Sequence, residues 1–221
     1  MAGSAVPRHR HDQPYAAIVL AGGYEESGSS GRYRVGPGDV LFHDAFDAHL
    51  DRFGVLGAEI FNLPLAAPPA VHAGRIGDPD ELVRLAMQGG EAAVHYLCEH
   101  VCETRPLAAD WPDLLAADLL DDPELRLDVW ARRHGLATET LSRGFGKLYG
   151  VTPAGFRAEA RARRAFDAIA QSDAPLADIA ARTGHADQPH MTRAIKALTG
   201  ATPGHWRTWS NPFKTACRAC A

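Results

Sequence analysis

The pattern of hydrophobic and polar residues changes once along the chain, from short strand-like runs to helical periods. Apolar runs separated by Gly-rich turns come first, at residues 16–23, 32–35, 36–43 and 52–65. From about Asp78 the apolar positions follow a helical period instead, with a double glycine marking the end of a helix. The order predicts an α+β fold, with a small antiparallel β-barrel and following helices before an all-α C-terminal domain.

The last hundred residues contain one pattern twice. The first copy, LDVWARRHGLATETLSRGFGKLYGVTPAGFR, spans 127–157, and the second, LADIAARTGHADQPHMTRAIKALTGATPGHWR, spans 176–207. The matched positions differ by 49 residues before the turn and by 50 after it, so the second copy carries one extra residue. Repetition at a fixed period indicates two copies of one supersecondary unit.

The residue types in each copy are those of a helix-turn-helix. A small alanine (Ala131, Ala180) allows close packing of the first helix, and a glycine four residues later (Gly135, Gly184) allows the turn. The second helix then anchors on an apolar residue and can present its outer face to a DNA groove. Between the copies, residues 157–171 contain strong helix formers and predict a rigid connecting helix.

Charge divides the chain in the same way as the periodicity. The net charge is −4, but residues 1–117 hold 16 acidic and 8 basic side chains, whereas the remainder holds 11 and 15. A basic half favours a polyanionic partner such as DNA. The sequence has neither a long apolar run nor a secretion signal, which favours a cytoplasmic protein without a membrane partner.

Four cysteines form two close pairs, Cys98 with Cys102 and Cys217 with Cys220. Cys98 and Cys102 are four residues apart in a predicted helix and would share one face. The pairs could form a closed zinc site or serve only in packing, and their role stays open.

The duplicated unit resembles the DNA-binding domain of the AraC/XylS family of bacterial transcription regulators. The resemblance covers about 118–209 and rests on LSRGF and MTRAI, and on GVTPAGFR and GATPGHWR after each second helix. The N-terminal 65 residues resemble the cupin-like barrel with which such regulators sense ligands or dimerise. The implied organisation is a cupin-like effector domain with following helices (1–105), a linker (106–122), a double helix-turn-helix (123–209) and a flexible tail (210–221).

The resemblance implies two recognition helices, at about 138–148 and 188–198. The side chains expected to face DNA are Thr138, Glu139, Thr140, Arg143 and Lys147 in the first, and Asp187, Gln188, His190, Arg193 and Lys196 in the second. Each arginine either reads a base or serves in structure and phosphate positioning.

Three departures bear mainly on the first unit. Gly144 and Gly146 each weaken its recognition helix by about 0.5–1 kcal/mol relative to Ala. Ala137 stands at the expected cap, although Thr138 would cap if the helix began one residue later. We therefore expect the first unit either to bind DNA weakly or to fold fully only on contact with DNA.

Histidines dominate the candidate chemistry of the N-terminal region. His9 and His11 are two residues apart on a predicted strand and face the same side, and His43 and His49 follow later. Metal-binding cupins use a His-x-His pair, an acidic residue and a later histidine, so the resemblance implies His9, His11 and His49 as ligands, with His43 as an alternate. Glu25 and Glu26 come late for the acidic ligand. A Zn²⁺ site, a metal-free ligand pocket and no special role all remain open.

Two function classes follow. The first is a sequence-specific regulator that binds double-stranded promoter DNA and senses a small molecule or metal, with RNA polymerase and a second copy of the chain as further candidate partners. The second is a metal-dependent cupin enzyme with an accessory helical domain. No nucleophile–base arrangement stands out in the sequence, so we predict that the protein is not an enzyme.

Overall fold

The computed structural model describes residues 3–108 and 110–210. Six strands come first, and a seventh follows the second helix: β1 (Ala5–Arg10), β2 (Tyr15–Gly28), β3 (Gly31–Val35), β4 (Asp39–His43), β5 (Ala48–Pro64), β6 (Ala73–Arg75) and β7 (Cys102–Glu103). The helices are α1 (Pro79–Gln88), α2 (Gly90–His100), α3 (Trp111–Asp121), α4 (Leu127–Arg133), α5 (Thr138–Tyr149), α6 (Pro153–Gln171), α7 (Leu176–Arg182), α8 (Gln188–Thr199) and α9 (Pro203–Ser210). The predicted α+β class with an antiparallel N-terminal sheet and a helical C-terminal region is confirmed. None of the described helices is long and apolar enough to cross a membrane.

All seven strands belong to one antiparallel sheet in the order β1-β5-β2-β4-β6-β7, with β3 paired to β2. The long strands β2 and β5 form its centre. Four consecutive residues of β2, Ala16 to Val19, are buried because both faces of this strand are covered. Ala16 and Ile18 pack in a cluster with Leu82 of α1 and Leu97 of α2, and Ala17 and Val19 pack in a second cluster.

The chain divides into two compact units that do not follow chain order. The sheet unit contains the described residues up to Ala117 together with Ala131–Thr152, and therefore includes α5. The helical unit contains Asp118–Trp130 and the described residues from Pro153 onward. The predicted linker, 106–122, contains α3, and the boundaries proposed from the sequence stay a prediction.

The helical unit has its own apolar core. Ala165 and Ile169 of α6 pack against Ile179 and Ala180 of α7 and against Met191 of α8. The predicted connecting helix is present and starts four residues earlier, at Pro153. Proline suits this first position because its missing N–H would have no partner within the helix.

Candidate DNA interface and histidine cavity

The first recognition helix, α5, matches its predicted start and ends at Tyr149 instead of Leu148. Its inner face is buried through Leu141, Phe145 and Tyr149. The five side chains predicted to face DNA are all exposed: Thr138, Glu139, Thr140, Arg143 and Lys147. The 3.6-residue period thus separates an apolar anchoring face from a polar outer face.

The second recognition helix, α8, also begins where predicted and ends at Thr199. Asp187, Gln188, Arg193 and Lys196 are exposed, and His190 is half-buried. Asp187 is the N-cap, because its carboxylate accepts a hydrogen bond of 2.6 Å from the backbone N–H of His190. Asp187 therefore has a structural task in addition to any contact with DNA.

The structure shows the surroundings of each of the three unusual residues in the first unit. Ala137 is the N-cap of α5 and makes no side-chain cap bond, so the alternative in which Thr138 caps the helix is wrong. Gly144 has a packing reason, because a methyl group there would lie 2.5 Å from Cζ2 of Trp111. A methyl group at Gly146 would meet only the carbonyl oxygen of Val151, at an ordinary 3.8 Å.

The repeat extends to a pair of arginines whose task the sequence did not reveal. Arg157 donates to the carbonyl of Leu125 at 2.8 Å, and Arg207 donates to the carbonyl of Ala174 at 2.6 Å. Each acceptor lies two residues before the first helix of its copy. The matched arginines therefore fasten the entry to each helix-turn-helix instead of facing DNA.

A cavity of about 190 Å³ lies in the sheet unit and is lined by histidines and carboxylates. Two groups of candidate ligand atoms, each within 4.8 Å of one another, share His49: His9, His11 and His49 form one, and Glu26, His43 and His49 form the other. Strand pairing produces this arrangement, because His9 lies opposite His49 between β1 and β5, and Gly28 of β2 lies opposite His49 on its other side. All three predicted metal-site residues are thus brought together, with the alternate His43.

Residues 130–208 match the family model described as a helix-turn-helix domain. The regulator ExsA of Pseudomonas aeruginosa is 31% identical over 96 residues, which cover 43% of this chain and 33% of that protein. The virulence regulon transcriptional activator VirF of Yersinia enterocolitica is 28% identical over 82 residues, covering 37% of this chain and 30% of the relative. The C-terminal region therefore contains a helix-turn-helix domain and is similar in sequence to these two transcription regulators.

The chain thus covers about a third of the length of these AraC/XylS-type relatives. Among solved structures, ToxT of Vibrio cholerae aligns over 94% of this chain and 98% of its own, with 8% identity and a TM-score of 0.47.

Burial controls the protonation of the side chains that line the cavity. Burial lowers the pKa of His43 to about 3 and that of His49 to about 2, and the neighbouring histidines are a second cause of each shift. Burial, with the nearby Asp51 carboxylate, raises the pKa of Glu26 well above its ordinary value, and burial raises that of Asp51 to about 6. His43 and His49 are therefore neutral imidazoles at neutral pH, the form in which histidine binds a metal.

Asp51 is a member of the cavity that the sequence did not identify, and Glu26 is one that the sequence did not separate from Glu25. Glu25 and Glu26 were equal candidates, but neighbouring residues of a strand face opposite sides. Glu25 pairs with Arg32 at 3.1 Å, whereas Glu26 approaches His43 at 3.5 Å. The signal that could have separated them is the register of β2 against β5, in which Glu26 lies opposite Asp51.

The donor set fits a divalent transition metal. His9 donates from Nδ1 to the carbonyl of Pro7 at 2.9 Å, which leaves its Nε2 lone pair for a ligand. Nδ1 of His49 and Oδ1 of Asp51 are buried without a hydrogen-bond partner among the described residues. Three imidazoles with a carboxylate nearby are ligands that Zn²⁺ accepts.

The cysteine prediction is partly wrong. Helix α2 ends at His100, and Cys102 lies in the short strand β7, so Cys98 and Cys102 do not share a helix face. Both are exposed and not in disulfides. Cys217 and Cys220 lie outside the described residues, and a site that joins the two pairs is untested.

Proposed function

We propose that the chain is a sequence-specific transcriptional regulator whose helices α5 and α8 contact double-stranded promoter DNA. The observation that carries this proposal is the duplicated exposed face, with Arg143 and Lys147 on α5 and Arg193 and Lys196 on α8. Arginine suits guanine or phosphate, and Gln188 at the start of α8 suits adenine. Arg143 and Arg193 are at matched positions, and Lys147 and Lys196 are one residue from matching. Basic side chains on the outer face of both helices are what a double helix-turn-helix needs for major-groove binding.

We further propose that the histidine cavity binds the effector. Its volume of about 190 Å³ suits a metal ion or a very small molecule. For a metal, His9, His11 and His49 would hold the ion, and Glu26 and His43 would surround it. Binding would stabilise one conformation of the sheet unit and so shift the protein toward a state with different DNA affinity. A second copy of the chain and RNA polymerase are the further partners proposed, in the cytoplasm.

The DNA proposal is tested by fluorescence anisotropy on the upstream intergenic fragment and a scrambled control over a salt series. We expect binding to the upstream fragment at least ~10³-fold tighter than to the control. If Arg193 reads a base, Arg193→Ala weakens specific binding by about 1–3 kcal/mol; if it contacts phosphate, it weakens both sequences alike and lowers the salt slope.

Arg34→Ala is the matched control, because Arg34 lies on β3 with 74% of its side chain exposed and pairs with Glu25 at 3.5 Å. We expect no change in DNA affinity for this variant. Equal binding to both fragments at every salt concentration would leave only non-specific electrostatic affinity and would contradict the proposal.

The effector proposal is tested by calorimetric titration of the full chain with Zn²⁺. We expect one site per chain, and His9→Ala with His11→Ala should weaken it by at least ~10-fold. His95→Ala is the control, because His95 lies on α2 with 75% of its side chain exposed. Absence of Zn²⁺ binding would exclude Zn²⁺ as the effector and leave the interpretation of the cavity as a metal-free ligand pocket. Oxygen uptake with Fe(II) would favour the cupin enzyme instead.

A further inference from the structure

The C-terminal end of α5 is held by two arginines of the sheet. The last four carbonyls of a helix have no partner within it. In α5, Gly150 N–H donates to Gly146 at 3.0 Å, Arg52 donates to the carbonyls of Lys147 and Leu148, and Arg8 donates to that of Tyr149 at 3.1 Å. The two positive charges also lie at the negative end of the helix dipole, where they are favourable.

The backbone after α5 packs directly on the same part of the sheet. Gly150 adopts a φ of +69°, and a methyl group there would lie 2.8 Å from Cδ1 of Leu50 and 3.0 Å from Cβ of Arg8. Leu50, Arg52 and Arg8 therefore define one surface of β1 and β5, which we call the clamp. A side chain larger than hydrogen at position 150 would separate the helix end from it.

A buried network supports the same contact. The Tyr149 hydroxyl donates to Asp113 at 3.2 Å, and Asp113 accepts two hydrogen bonds from Arg32, at 2.8 and 2.6 Å. The hydrogen bonds from Arg32 are between charged groups and inaccessible to water, which makes them stronger than surface pairs. The end of α5 is thus fixed to β3 as well as to the clamp.

The strands that bear the clamp also bear the histidines. Successive residues of a strand face opposite sides, so His9 lines the cavity while Arg8 faces α5. In β5, His49 and Asp51 line the cavity, while Leu50 and Arg52 belong to the clamp. One face of the two strands therefore lines the cavity, and the other contacts α5. A shift of either strand moves cavity residues and clamp residues together.

Strand β1 is an edge strand, whereas β5 is paired on both sides. This edge strand is at one end of the strand order and pairs with β5 alone among the described strands. Its register shifts between Val6 and His9, next to Arg8, and such bulges redirect side chains. A ligand held by His9 of β1, by His11 just after it and by His49 of β5 would join the edge strand to its neighbour.

We propose that the clamp couples occupancy of the histidine cavity to the first recognition helix. Occupancy fixes β1 against β5, which fixes Arg8 and so holds the end of α5 in its docked position. This coupling rests on the proposed effector site. Its effect is to change how well the end of α5 is ordered. The second recognition helix belongs to the helical unit.

The test is hydrogen exchange of the backbone amides of residues 147–152 in the full chain, with and without Zn²⁺. We expect Zn²⁺ to slow exchange there at least ~10-fold, because a helix end that is held in place no longer frays. Arg8→Ala and Arg52→Ala should abolish this protection while Zn²⁺ still binds at one site per chain, because neither is a cavity ligand. Arg34→Ala should keep it. Zn²⁺ binding without protection, or protection that survives the clamp variants, would overturn the coupling.

A covalent link tests the clamp without any ligand. His9 and His49 are Cα partners, and such pairs are about 4.5–5.5 Å apart, within the range for a disulfide. His9→Cys with His49→Cys, in a chain whose four native cysteines are serine, should protect residues 147–152 when oxidised and not when reduced. Equal exchange in the two states would overturn the coupling. Failure of Zn²⁺ binding alone, or of DNA binding alone, would count against the proposed function and leave this result intact.

Discussion

The two helix-turn-helix copies have the same order of helices, but different neighbouring residues stabilise them. In the second copy, α8 has an Asp187 cap and packs on α6 and α7 within the helical unit. In the first, α5 has no side-chain cap, packs Gly144 under Trp111 and receives Arg8 and Arg52 at its end. The second copy is thus stabilised within the helical unit and the first by contacts with the sheet, which is what the proposed coupling requires.

The largest expected effect is on the free energy of unfolding, which should change in opposite directions when the two glycines of α5 are replaced by alanine. Gly144→Ala should lower the free energy of unfolding, because overpacking against Trp111 costs about 1–3 kcal/mol, more than the gain in helix propensity. Gly146→Ala should raise it by about 0.5–1 kcal/mol, because its site is open. Denaturant unfolding measures both. Stabilisation by Gly144→Ala would show that Trp111 does not constrain α5.

The caps provide the next comparison. Asp187→Ala should lower the free energy of unfolding by about 1 kcal/mol, whereas Ala137→Ser should raise it by about 0.5–1 kcal/mol, because Ala137 already has the extended backbone of an N-cap. Thermal unfolding of both variants checks the pair. A neutral Asp187→Ala would mean that the hydrogen bond to His190 contributes nothing measurable.

The smallest expected effect concerns pH. His185 is buried, and burial lowers its pKa to about 4, while its ordinary value is 6.5. Because the unfolded chain takes up a proton first as pH falls from 6.5 toward 4, the stability contributed by the neutral imidazole is lost in that window. His185→Leu, which introduces the residue of the first copy (Leu136), should lose less stability between pH 7 and 5, by on the order of 1 kcal/mol. Parallel pH profiles for the two proteins would contradict this assignment.

What the sequence predicted well was local. The starts of α5 and α8 follow from a 3.6-residue period and turn glycines. His9 and His11 do line one cavity, although β1 ends at Arg10 and His11 lies just beyond it. Arg8 and Arg52 were not predicted to take part, and Glu26 was not separated from Glu25, because their partners are brought to them by strand register and by the docking of α5. From the sequence, Gly144 was expected only to weaken α5, because the Trp111 ring that leaves no room for a side chain there is distant in sequence.

The measurement that tests the account most directly is the affinity of the full chain for the upstream fragment, with and without Zn²⁺, in the wild type and in His9→Ala with His11→Ala. The account predicts tight, sequence-dependent binding whose affinity changes at least ~10-fold with Zn²⁺ in the wild type and stays constant in the variant. Binding that does not distinguish the upstream fragment from a scrambled one, in any metal state, would contradict it.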